Sequence, residues 1–94
     1  MLQFEWDDKK NKSNIQKHGI SFEEETSVFQ DDDALIIVDE GHSQKEERFV
    51  LIGFSYRANL LVVCHCYRKK ESVIRIISAR KASRQERNEY ISRL

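Results

Sequence analysis

Apolar residues in this chain come in short runs between charged or turn-forming clusters, and the spacing within each run predicts an element. Phe4-Glu5-Trp6 is long enough only for a short first strand. Asp7 or Asp8 then supplies an N-cap for a first helix that runs to His18, with Gly19 just past its end. That helix is polar nearly all round. Ile15 is its one apolar residue, so it should cover a core rather than fill one. Ser21-Phe22-Glu23-Glu24 has capping-box spacing and opens a second helix. Phe22, Thr26 and Phe29 share one face, with Val28 beside it, and Glu23 to Glu25 suit the positive end of the helix dipole. Asp31-Asp32-Asp33 stops this helix. Ala34 to Val38 is a β-rich run, and Asp39 to Glu47 a charged loop. Arg48 to Tyr56, Leu60 to Arg68 and Val73 to Ser78 then read as strands, joined by the turns Arg57-Ala58-Asn59 and Lys69-Lys70-Glu71-Ser72. Connections this short imply an antiparallel meander, since parallel pairing needs a long crossover. A second capping box, Ser83 to Glu86, opens a last helix whose inward stripe is Arg87, Tyr90, Ile91 and Leu94. The expected class is α+β: an antiparallel sheet of about four strands, two N-terminal helices and one C-terminal helix, with the helices on one face.

Length and composition narrow this picture. At 94 residues a single domain over 1–94 is expected. Hydrophobic residues make up 39% and charged residues 34%, so the chain is polar but not disordered. Three glycines and no proline exclude collagen-like and linker readings. No run approaches a membrane span, and the first residues lack the basic flank and apolar stretch of a signal peptide, so a cytoplasmic protein is expected. Net charge is zero but unevenly spread: residues 1–47 carry 5 Lys/Arg and 13 Asp/Glu, and residues 48–94 carry 11 and 3. Such a split fits either halves that neutralise one another or contact with nucleic acid or a charged partner. Cys64 and Cys66, two apart in a strand, point to one face with parallel side chains. They read as small buried hydrophobes rather than a disulfide.

Three ordered motifs carry a family resemblance. The first is Glu5-Trp6-Asp7 with Lys10, Asn14, Lys17-His18-Gly19 and Ser21-Phe22-Glu23-Glu24. The second is His42-Ser43 with Glu46-Glu47-Arg48-Phe49 and Ile52-Gly53. The third is Ile74 to Ala82 followed by Arg84, Glu86-Arg87 and Tyr90. Together they resemble the BrnT family of bacterial toxins, over almost the whole chain. The resemblance implies a RelE-like fold and a toxin that cleaves RNA in a type II toxin–antitoxin system. It also implies a BrnA-like antitoxin with a ribbon-helix-helix DNA-binding domain, so that DNA is met only through the antitoxin. The chain departs from the pattern at Asp8, where many relatives have proline, and at the glycine-free turn after Arg68. It also departs at His65 and its flanking cysteines.

RNA cleavage without a metal needs a group to take the 2′-OH proton, a group to protonate the leaving 5′-oxygen, and cations for the charge that develops on phosphorus. Arg75 and Arg80 are candidate phosphate forks. Either is equally read as half of a salt bridge. Arg80 also lies just before the N-terminus of the last helix, which favours an anion. Arg48 is a further cation, or the partner of a glutamate. His18, beside Lys17 at the end of the first helix, is a candidate for proton transfer, or a cation matched to the helix dipole. His65 is a candidate acid or base, or a packed strand residue facing away from the cysteines. Lys81 and Arg84 are candidate RNA contacts, and Tyr67, like Tyr56 and Trp6, offers a ring for base stacking. Trp6 is read first as a core residue. No metal and no cofactor is expected: Cys64, His65, Cys66 and His42 do not converge in zinc spacing, and the acidic run at 31–33 has no histidine companion. The alternative to a nuclease is a non-catalytic module that binds the antitoxin or RNA and tunes repression of a shared promoter.

Overall fold

The structure is a computed structural model and describes residues 2–39, 41, 46–70 and 72–94. Its elements are β1 (Gln3–Glu5), α1 (Asp8–His18), α2 (Phe22–Thr26), a 3-10 turn (Ser27–Gln30), β2 (Leu35–Val38), β3 (Arg48–Phe54), β4 (Leu60–Arg68), β5 (Val73–Lys81) and α3 (Arg84–Ser92). The sheet has five strands in the order β1-β5-β4-β3-β2. β2 to β5 form the expected antiparallel meander, and β1 adds a fifth strand parallel to β5, which makes the sheet mixed. The parallel pairing is possible because α1, α2 and the meander together form the long crossover it needs.

One face of the sheet carries the main core. Leu51, Leu61, Val63, Ile74, Ile76 and Ala79 pack there against Ile20, Phe22 and Val28, with Phe4, Trp6 and Phe29 at the margin. α1 begins at Asp7, whose side chain accepts from the Lys9 and Lys10 N–H groups, and ends at Gly19, where φ is +69°, a conformation glycine adopts without strain. Asn14, not Ile15, is its buried residue; Ile15 stays exposed. The Asn14 amide donates to the Ile20 carbonyl at 3.1 Å and accepts from the Ala79 N–H at 3.2 Å. α1 thus covers part of the β5 edge that the three residues of β1 leave unpaired.

α2 ends sooner than its face pattern predicts, because the chain tightens into the 3-10 turn after Thr26. Ser21 caps it as expected, but the Glu24 carboxylate turns inward and accepts from Ser55 Oγ at 2.7 Å and Asn59 Nδ2 at 2.9 Å. Glu25 is fully buried too, so only Glu23 of the three carboxylates is solvated.

α3 corrects a further expectation. It lies over the opposite face, where Tyr90 clusters with Ile52, Leu60 and Val62. Tyr90 is the only buried member of the predicted stripe; Ile91 and Leu94 are exposed. One aromatic anchor suffices because the Tyr90 hydroxyl donates to Asp31 at 2.7 Å and its ring meets Phe54 edge-on at 5.4 Å. The acidic and basic halves do neutralise one another in part, through Arg75–Glu5 and Arg68–Glu46. Among the described residues no helix is long and apolar enough to cross a membrane.

Candidate functional site

The cross-strand register sets out the sheet face opposite α1 and α2 as three rows. Arg48, Cys66 and Arg75 form one; Val50, Cys64 and Ser78 the next; Ile52, Val62 and Arg80 the third. Strict alternation forbids this arrangement, since Arg75 and Arg80 are five residues apart and would face opposite ways. A bulge resolves it. Cys64 pairs with Ser78 while His65 pairs with Ile76, so Ile77 is an extra residue on β5. Beyond the bulge, Ala79 joins the main core and Arg80 turns to the face that carries Arg48. A bulge re-aims a side chain in this way, and bulges are common beside active sites.

The re-aimed residues border a cleft of about 240 Å³ lined by Val50, Val62, Ile77, Cys64 and Ser78, with Asp39, Arg48 and Arg80 as its charged groups. Asp39 is placed opposite Arg48 by the end of the β2–β3 ladder, where its N–H donates to the Arg48 carbonyl at 2.8 Å. The Arg80 guanidinium forks onto Glu86, at 2.7 and 2.8 Å, and this pairing holds the Glu86 carboxyl down at about 2. Glu86 also accepts from the Ser83 N–H at 2.8 Å, so the α3 cap positions the partner of Arg80. Arg75 stands on the same face but is tied to Glu5 of β1 at 2.6 Å. Its partner comes from the first strand rather than from a helix carboxylate. Burial, and secondarily Asp39, pushes the Cys64 thiol up, which keeps it protonated and a poor nucleophile.

The other predicted residues lie elsewhere. His65 has no exposed surface and faces the main core, with Phe29 at 4.9 Å, Phe49 at 6.0 Å and Tyr67 at 5.4 Å between ring centroids. Burial lowers its pKa, as expected of a ring packed among aromatics. Tyr67 packs on that same face, away from the cleft. Lys17 and His18 are exposed on the last turn of α1, and Asn14 one turn earlier is bonded to Ala79, the neighbour of Arg80. Lys81 and Arg84 are exposed past the end of the cleft, in the strand-to-helix junction. Among the described residues no three His, Cys, Asp or Glu side chains gather as metal ligands; His42 lies outside those residues.

Asp39 belongs to none of the sequence motifs. Its signal was positional: it ends the β2 run across the loop from Arg48, so the register of that hairpin would have placed the two together. The bulge left no such signal, because Ile76-Ile77-Ser78 contains neither glycine nor a change of pattern.

The family model described as "Ribonuclease toxin, BrnT, of type II toxin-antitoxin system" matches residues 6–86. Among solved structures, the chain is similar to the 1.1 Å crystal structure of the Brucella abortus ribonuclease toxin BrnT, with a TM-score of 0.69 and 22% identity over 89% of this chain and 100% of that one. At that identity the likeness speaks for the fold. No curated protein matches the chain. With the family model matching residues 6–86, most of the chain, and the fold agreeing independently, the chain belongs to the BrnT family of ribonuclease toxins of type II toxin–antitoxin systems.

Proposed function

We propose that this chain, acting as one domain, is a metal-independent endoribonuclease that cuts cytoplasmic RNA in the cleft between β2 and β5, and that a BrnA-like ribbon-helix-helix antitoxin neutralises it. The observation that carries this reading is the convergence of Arg48 and Arg80 on one concave sheet face, achieved only through the β5 bulge. Arginine forks match the planar spread of phosphate oxygens, and the apolar walls of Val50, Val62 and Ile77 lower the dielectric in which they act. In the proposed reaction the 2′-oxygen loses its proton, attacks the neighbouring phosphorus and expels the 5′-oxygen, which leaves with a proton. Arg48 and Arg80 stabilise the charge on the phosphoryl oxygens, with Arg75 in the same cross-strand row as Arg48.

Proton transfer in the cleft is assigned to Asp39, while Lys17 and His18, exposed at the end of α1 on the other side of the sheet, are assigned to contacts with RNA beyond the cleft. His65, enclosed in the main core, is left with a packing role in this conformation. Lys81 and Arg84 extend the cationic path along the α3 junction. Metal independence is supported by the scattering of the described carboxylates and histidines. The test is cleavage of RNA by the purified chain with and without excess EDTA. Equal rates are expected; activity lost on chelation and restored by magnesium or manganese would overturn the proposal.

A further inference from the structure

The two edges of the sheet are treated differently. The β5 edge is covered by β1 and, beyond it, by α1, whose Asn14 occupies the Ala79 N–H. The β2 edge is last in the strand order and, among the described residues, pairs only with β3. The Asp39 N–H points to β3, where it meets the Arg48 carbonyl. Antiparallel alternation therefore turns the N–H and C=O groups of Ile36 and Val38 away from the sheet. The side chains there are apolar and open: Ile36 is 52% exposed, Ile37 43% and Val38 43%. None of the usual edge protections is present in Leu35-Ile36-Ile37-Val38: no lysine, no proline, no inward charge, no bulge.

We infer that the free edge of β2 is a docking site for an extended, basic-flanked segment of the cognate antitoxin, which adds a strand to the sheet there. This rests on the antitoxin of the proposed function. The occupant follows from charge. Asp32 and Asp33 are exposed just before the strand and Asp39 stands just after it. A second copy paired along this edge, in either direction, would set acidic ends against acidic ends, which is unfavourable. RNA is disfavoured at the Asp32–Asp33 end of the strand for the same reason. A peptide strand with Lys or Arg flanking three or four apolar residues satisfies the outward backbone groups, covers the apolar side chains and matches the aspartates. Such a strand would end beside Asp39, at the mouth of the cleft, so docking and neutralisation would coincide.

The probe is the protein encoded beside this chain's reading frame, titrated against the purified toxin by calorimetry, with growth arrest, RNA cleavage and melting followed in parallel. Val38→Pro removes an outward donor without touching the β2–β3 ladder. Ile36→Lys leaves the backbone intact and decides the matter if the proline variant melts early. Both are expected to cleave RNA like wild type and to weaken binding about 10–100-fold, one to two steps of 1.4 kcal/mol. Asp32→Lys with Asp33→Lys should slow association. If wild type cleaves RNA and binds its neighbour but Ile36→Lys binds as tightly, the inference is wrong and the proposed function stands. If wild type neither cleaves RNA nor binds that protein, the proposed function fails and the inference with it. A dimer of the free chain that Ile36→Lys dissolves would give the edge to a second copy instead.

Discussion

Replacing Glu25 with methionine should stabilise this protein and remove most of its pH dependence above neutrality. Glu25 has no exposed surface, and among the described residues neither carboxyl oxygen has a hydrogen-bond partner. Burial, reinforced by the neighbouring Glu24, pushes the group up from 4.5 to about 10. In the unfolded chain Glu25 ionises above its ordinary value; in the folded chain it keeps its proton until far higher pH. Across that window the folded state binds the extra proton, so the Glu25 contribution to stability is greatest below pH 4.5 and falls as pH rises towards 10. At 1.36 kcal/mol per pH unit, the loss by neutral pH is about 3 kcal/mol, a large share of the stability of a small domain.

Other groups bound the range in which this can be read cleanly. His65, lowered by burial, gives the opposite slope up to its unfolded value of 6.5. Cys64 and Cys66, raised, add the same slope near 9.0. Urea denaturation followed by circular dichroism at pH 7 and pH 8 therefore isolates Glu25. Wild type should lose about 1 kcal/mol over that unit and Glu25→Met almost nothing. The variant should be about 3 kcal/mol more stable at pH 7, or roughly 10–20 °C in melting temperature. A flat wild-type profile, or a variant less stable than wild type at pH 7, would refute the reasoning.

Two further substitutions probe the scaffold. A Cβ at Gly53 would lie 2.9 Å from Val28 Cγ1, 3.0 Å from Asp31 Oδ2 and 3.1 Å from Ala34 Cβ. Gly53→Ala should therefore cost about 1–3 kcal/mol by urea denaturation, through overpacking around the carboxylate that receives the Phe54 N–H and the Tyr90 hydroxyl. Lys70 sits at φ +55° in the β4–β5 turn. Lys70→Gly should add about 1 kcal/mol and raise the melting temperature by about 4–8 °C, read by calorimetry.

Local rules carried the elements well. The Asp7, Ser21 and Ser83 caps, the Gly19 stop and the meander of short connections all act over a few residues, and they fall where the pattern puts them. What escaped was set by contacts between distant residues. The parallel β1–β5 pairing joins strands about 70 positions apart, and three residues of pattern cannot announce it. The place of α3 depends on one hydroxyl reaching Asp31 across the molecule. Burial of Glu24 and Glu25 overrode the dipole argument, because tertiary packing outweighs a first-turn preference. Among the candidate site residues, Arg48 and Arg80 were named from the sequence, but their shared cleft depends on the bulge at Ile77. His65 was correctly placed opposite the cysteines, and that orientation is what sends it into the core.

The central claim is that the cleft bordered by Arg48 and Arg80 is where RNA is cut, and the cleavage rate of Arg80→Ala tests it most directly. The Arg80–Glu86 pair is partly exposed, and such pairs contribute under about 1 kcal/mol, so the variant should melt within a few degrees of wild type. Glu86 keeps its bond to the Ser83 N–H and the cap survives. Single-turnover cleavage of RNA should fall by about 10²–10³-fold, the loss typical of one transition-state donor. A folded Arg80→Ala protein that cuts RNA at the wild-type rate would contradict the account and move the active site off this face of the sheet.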